Sequence, residues 1–215
     1  MFYKLTKKLF NGIYQYKIVL VCSGAQWFRS NDMNEILSNL EKVKVELDED
    51  TPDVYRRSRY SIRTKPDLDY ALQLHHQLTL LKNIDLRIET PWVTIYTNNK
   101  KDIDAIIKID ESKVKYVSMP PDDSVLEANT IILPKIDFDY RITLGKTTQD
   151  YPAFISWAEA NSKLKLTKTC KRDLLKPRSW GGSYFYVTGD NNLLMVRMHL
   201  AGCISKVERI INSKA

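Results

Sequence analysis

The chain is poor in the residues that most often announce a chemistry. Three cysteines, Cys22, Cys170 and Cys203, are an odd and widely spaced set. They offer neither a disulfide framework nor a CxxC metal knuckle, and they fit reduced thiols in a cytosol-like compartment. Three histidines include the neighbours His75 and His76, which point to different sides of a helix and cannot chelate one ion as an i,i+4 pair would. No apolar run approaches the roughly 20 residues that span a bilayer. No h-region or small-residue cleavage site follows the basic start MFYKLTKKLF, so neither secretion nor membrane association is expected. The location expected is cytoplasmic.

What is present is an ordinary folded composition with a basic balance. The 215 residues carry 33 lysines and arginines against 26 acids, a net charge of +7. That length suits one large domain or two small ones.

Hydrophobic periodicity divides the chain into two similar halves. In the first, Tyr16–Cys22 reads as a central strand, and Asn31 or Asp32 caps a helix from Met33 through Val43–Lys44. The acidic stretch Glu46–Asp53 reads as a loop, and Tyr55–Thr64 as an alternating strand. A helix at Leu68–Lys82, strands at Leu86–Ile88 and Trp92–Thr97, a helix at Lys100–Ile109 and a strand at Lys113–Met119 follow. Pro120–Pro134 holds three prolines and no periodicity, as a connection would.

The second half reads as strand Tyr140–Gly145, helix Tyr151–Asn161, strand Lys163–Thr169, strand Ser183–Thr188, helix Asn191–Ala201 and strand Lys206–Ile211. Sliding Asn98-Asn99 onto Asn191-Asn192 also brings Ser112-Lys113-Val114 onto Ser205-Lys206-Val207, which suggests a repeat. The expected fold class is therefore α+β: two tandem ferredoxin-like (βαββαβ) modules, antiparallel sheets with helices on one face. The expected boundaries are 1–120 with an inserted helix at 68–82, a linker at 121–134, and 135–215.

Basic and aromatic residues supply the candidate site. Lys163, Lys165, Lys168, Lys171, Arg172, Lys176 and Arg178 stand against a single acid, Asp173, and lead into Trp180-Gly-Gly-Ser-Tyr-Phe-Tyr186. In the first half Arg56, Arg57, Arg59 and Arg63 mingle with Tyr55 and Tyr60. Cations neutralise phosphates and flat rings stack on unpaired bases. The expected contacts are Arg56, Arg57, Arg59, Lys168, Lys171, Arg172 and Arg178 to phosphates, with Tyr60, Trp180 and Tyr184 for stacking. Gly182–Val187 loosely resembles the aromatic RNP1 strand of RRM domains but lacks the small residue between the aromatics, so no residue takes an RNP1 role.

Other candidates are weaker. Gly145-Lys-Thr-Thr148 has Tyr140 where a phosphate loop needs its first glycine. Cys170 has Lys168, Lys171 and Arg172 close in sequence, which would depress its pKa, but it has no paired base. Asp137 and Asp139, at i and i+2, would share a strand face and could hold Mg²⁺ as polymerase palms do. No third acid completes that site, so no metal, cofactor or catalytic residue is expected.

The segments Lys135–Lys146, Ser179–Val187 and Ile204–Ile211 resemble small proteins of unassigned role from tailed bacteriophages. The resemblance implies a viral protein acting in an infected bacterial cytoplasm and carries no site residues. Three functions are weighed: first a non-enzymatic protein that binds single-stranded DNA or RNA, then an adaptor, inhibitor or assembly subunit on a host or viral protein complex, and last a palm-like metal-dependent nucleotidyl transfer enzyme built on Asp137 and Asp139.

Overall fold

The computed structural model describes residues 2–49, 61–121 and 126–212. It is a mixed α+β protein with two five-stranded sheets and, among the described residues, six α-helices. The chain divides into two compact units, Met1–Val125 and Leu126–Ala215. No described helix is long and apolar enough to cross a membrane.

In the first unit the sheet order is β1-β5-β2-β4-β3, formed by β1 (Tyr3–Leu5), β2 (Tyr16–Val21), β3 (Asp85–Glu89), β4 (Trp92–Thr97) and β5 (Val114–Met119). All neighbours are antiparallel except the edge strand β1, which runs parallel to β5. Alternation sends Ile18, Leu20, Val93 and Ile95 to one face. There they meet Ile36, Leu40 and Val43 of α1 (Met33–Asp48), Leu68, Ala71, Leu74 and Leu78 of α2 (Lys65–Leu80), and Ile103 and Ile106 of α3 (Lys100–Ile107).

Local chemistry sets the helix ends. The Asn34 amide donates to the Asp32 carboxylate at 2.8 Å, and the Asp67 amide to the Thr64 hydroxyl at 3.3 Å. Contrary to the loop expected at Glu46–Asp53, α1 continues to Asp48, because Val43 and Glu46 are buried and Lys65 pairs with Asp48 at 2.8 Å. Of the strand expected at Tyr55–Thr64, residues 61–64 are not extended in a ladder and 55–60 lie outside the described residues.

The second sheet has the order β6-β10-β7-β9-β8, from β6 (Thr130–Ile132), β7 (Tyr140–Leu144), β8 (Leu164–Leu166), β9 (Tyr184–Val187) and β10 (Ile204–Ile211). Again the edge strand, β6, is parallel to its neighbour and the rest are antiparallel. Thus β6 lies within the segment expected to be a linker, where Thr130, Ile131 and Ile132 are β-formers and all buried. The helices α4 (Pro152–Ala160), α5 (Lys168–Leu174) and α6 (Asp190–His199) cover the Ile142, Leu144, Phe185 and Val187 side. The strand expected at Lys163–Thr169 stops at Leu166. Thr167 instead caps α5, accepting from the Cys170 amide at 3.2 Å, and α5 buries Cys170 and Leu174.

The ladders relate the two sheets in a different register from the asparagine match. Tyr96 faces Lys17 as Tyr186 faces Arg141, and Ser118 faces Lys17 as Glu208 faces Arg141. Tyr96 therefore corresponds to Tyr186, and Asn99, the cap of α3, to Gly189, the cap of α6. Asn192 lies inside α6. Each sheet also carries an irregularity in its last strand, skipping Lys115 in β5 and Ser205 in β10.

Candidate nucleic-acid interface

The side of the first sheet facing away from its helices combines lysines and aromatic rings. Period-two alternation places Lys17 and Val19 of β2, Arg87 and Glu89 of β3, and Trp92, Thr94 and Tyr96 of β4 on that side. The β-bulge adds to it: Val114 and Val117 are both in the core, so Lys115 and Tyr116 between them both reach the opposite face. Val19 and Thr94 are buried and form the floor of the resulting shallow groove.

The cations are held over the rings. The Lys115 ammonium lies 3.7 Å from the centroid of Trp92, and Lys4 lies 3.9 Å from that of Tyr116. Lys17 is 5.1 Å from the Tyr116 centroid and 5.6 Å from Phe10. Such contacts are worth about 0.5–1 kcal/mol where exposed, enough to orient a lysine without neutralising it. Arg87 is paired with Glu89 at 2.6 Å, whereas among the described residues Lys4, Lys17 and Lys115 make no ion pair with an acid. Trp92 is 37% exposed.

The matching face of the second sheet is covered around Tyr186. Phe138 stacks on Tyr186 at 5.7 Å, and Leu133 and Ile136 pack with it over Ile131 and Ile210. Arg141, which takes the place of Lys17, is paired with Glu208, its Nε donating at 2.8 Å. Lys206 adds a second ion pair to Glu208 at 2.9 Å. Glu208 is 0% exposed. Burial opposes its ionisation, but the Lys206 ammonium and the Arg141 guanidinium beside it outweigh that and hold its carboxyl below the ordinary value.

The structure disperses the residues expected from sequence. Arg56, Arg57, Arg59 and Tyr60 lie outside the described residues. Lys168, Lys171 and Arg172 sit on α5, on the helix side of the sheet, while Tyr184 alternates with core Phe185 and faces the other side. These lysines and this tyrosine therefore do not share a surface. Lys171 is paired with Glu159, and Arg172 and Lys176 each lie 3.9 Å from Asp173. Arg178 is exposed, and Trp180 is 90% exposed with the Lys146 ammonium 5.5 Å from its ring. Tyr184 is 38% exposed, 5.4 Å from the Arg141 guanidinium and edge-on to Tyr186.

Other candidates resolve into structural roles. Burial pushes the Cys170 thiol up to about 12, reversing the expected depression, because the thiol points into the core while the neighbouring cations point out. Asp137 and Asp139 precede β7 instead of sharing its face, and Asp139 accepts the Gly189 amide at 2.8 Å. His75 bonds the Met33 carbonyl at 2.8 Å, and His199 stacks on Trp157 at 4.9 Å. Among the described residues no three or more His, Cys, Asp or Glu side chains gather as a metal site would require.

The residues missed from sequence are Lys4, Lys17, Trp92, Lys115 and Tyr116. The alternation Trp92-Val-Thr-Ile-Tyr96 signalled which rings would lie on the helix-free face; the bulge at Lys115 had no such signal. The chain matches no protein-family model, no curated protein and no solved structure.

Proposed function

We propose that this protein is a non-enzymatic binder of single-stranded nucleic acid, built from two ferredoxin-like modules, and that the helix-free face of its first sheet is the binding surface. The strand orders and the placement of helices on one side of each sheet support the module reading. The observation that carries the function is the Lys115–Trp92 and Lys4–Tyr116–Lys17 arrangement on an open sheet face. Rings at this position stack on splayed bases in sheet-based RNA binders, and unneutralised ammonium groups follow the phosphates. A duplex offers no unstacked base to such a surface.

The test is a fluorescence-anisotropy titration with labelled single-stranded DNA, single-stranded RNA and duplex DNA at about 50 and 200 mM salt. Preference for a single strand, weakening steeply with salt and lost in Trp92→Ala/Lys115→Glu, is expected. Equal weak binding to all three, or an unaffected double variant, would remove the reading.

A second reading, an adaptor docking on a host or viral protein, draws on α6, where Leu194 and Met198 are exposed one turn apart beside Met195. It predicts a nuclease-resistant complex that Leu194→Glu/Met198→Glu dissolves. The tailed-phage resemblance would place either partner in an infected bacterium.

A further inference from the structure

We propose that a lysine-lined cleft beside the open face of the first sheet receives the terminal phosphate monoester of the bound strand. This rests on the single-strand reading above. The cleft, of about 480 Å³, is lined by Lys4, Lys7, Lys8 and Lys17 together with Phe10 and Tyr116, and among the described residues no carboxylate lines it. Lys17 and Tyr116 also line the groove that contains Trp92 and Lys115, so the two spaces adjoin at those side chains.

A wall makes this a terminus instead of a passage. The turn closed by Phe10 and Tyr14, whose backbones bond reciprocally at 2.8 and 2.9 Å, packs both rings against Tyr96 at 5.8 and 6.2 Å. Asn11 in that turn, at φ 51, reaches Asp85 on β3 at 3.0 Å. The turn therefore extends across the Lys17–Tyr96–Asp85 end of the sheet.

Charge density then selects the ligand. A diester carries one negative charge per phosphorus, whereas a terminal monoester carries about −1.5 to −2 with three strong acceptor oxygens. Lys4 and Lys17 converge on the same Tyr116 ring, a like-charge arrangement that a concentrated anion relieves. Lys7 and Lys8 are set by Thr6, whose amide bonds the Met119 carbonyl at 2.8 Å and whose hydroxyl donates to the Lys8 carbonyl at 2.7 Å.

The experiment compares oligothymidylate and oligouridylate of about ten nucleotides bearing a 5′-phosphate, a 3′-phosphate or hydroxyls at both ends. The expected result is that one phosphorylated end raises affinity about tenfold over the hydroxyl-ended strand. Lys7→Ala/Lys8→Ala should reduce that gain to about twofold or less. Equal affinities, an equal gain from either end, or a gain that persists in the double variant would overturn the proposal. Failure of every oligomer to bind would overturn the single-strand reading beneath it as well.

Discussion

The Lys115 ammonium rests 3.7 Å from the centre of the Trp92 ring, although the two residues stand on strands separated by β2. The contact bridges β2, and it depends on the bulge that releases Lys115 from the ladder. Trp92 is thereby held as a platform with a cation at one side.

Trp92→Ala should weaken single-strand binding by roughly 1–3 kcal/mol, the usual worth of one stacked base. Lys115→Ala should cost less and also flatten the salt dependence. A double-mutant cycle by anisotropy should show coupling between the two, because the lysine positions itself on the ring it would share with the base. Strict additivity would mean that they act separately.

Glu208→Ala should destabilise the second unit by about 3 kcal/mol. It leaves the largely buried Arg141 guanidinium, and the half-exposed Lys206 beside it, without their common carboxylate. Urea denaturation followed by circular dichroism checks this, and a loss under about 1 kcal/mol would show that water already compensates the pair.

The same carboxylate gives the second unit an acid limit. Its folded pKa lies below the ordinary 4.5, so its contribution to stability is fully present above that value. As pH falls through the lower folded pKa, the folded state takes up the proton and the contribution is lost. The wild type should lose stability over that acidic range more steeply than Glu208→Gln, as measured by thermal melts across pH.

All three thiols are buried, and burial pushes Cys22 and Cys170 up to about 12. At pH 8 a disulfide reagent should find the native protein unreactive on the timescale that labels free cysteine, and should titrate three thiols after denaturation. Rapid native labelling at Cys170 would mean that α5 opens readily.

Much of the fold was legible because periodicity is a local property. Trp92–Thr97 alternates cleanly and forms β4 over that span. Asp32 precedes a helical pattern and caps α1. The site was less legible, because density of charge along the chain is not density in space. Lys168, Lys171 and Arg172 are close in sequence, but a helix of one to two turns carries them to the side opposite Tyr184. Lys4, Lys17 and Lys115 are remote in sequence and meet only through the pairing of β1, β5 and β2. The asparagine match failed for a related reason: identical residues marked a cap in one half and a helix interior in the other.

The bulge in β5 makes the open face unusually sensitive to chain length. A strand that shows two consecutive side chains on one side has, in effect, absorbed one extra residue. Deleting Lys115 would restore regular alternation, and Tyr116, now next to Val114, would remain outward while the cation vanished. Inserting a residue after Tyr116 would instead rotate Val117 out and Ser118 into the apolar interior. The in–out pattern of the strand therefore survives a missing residue at this one point, though the Lys115–Trp92 contact is lost, and does not survive an added one, an asymmetry that a length-variant library across β5 would reveal directly.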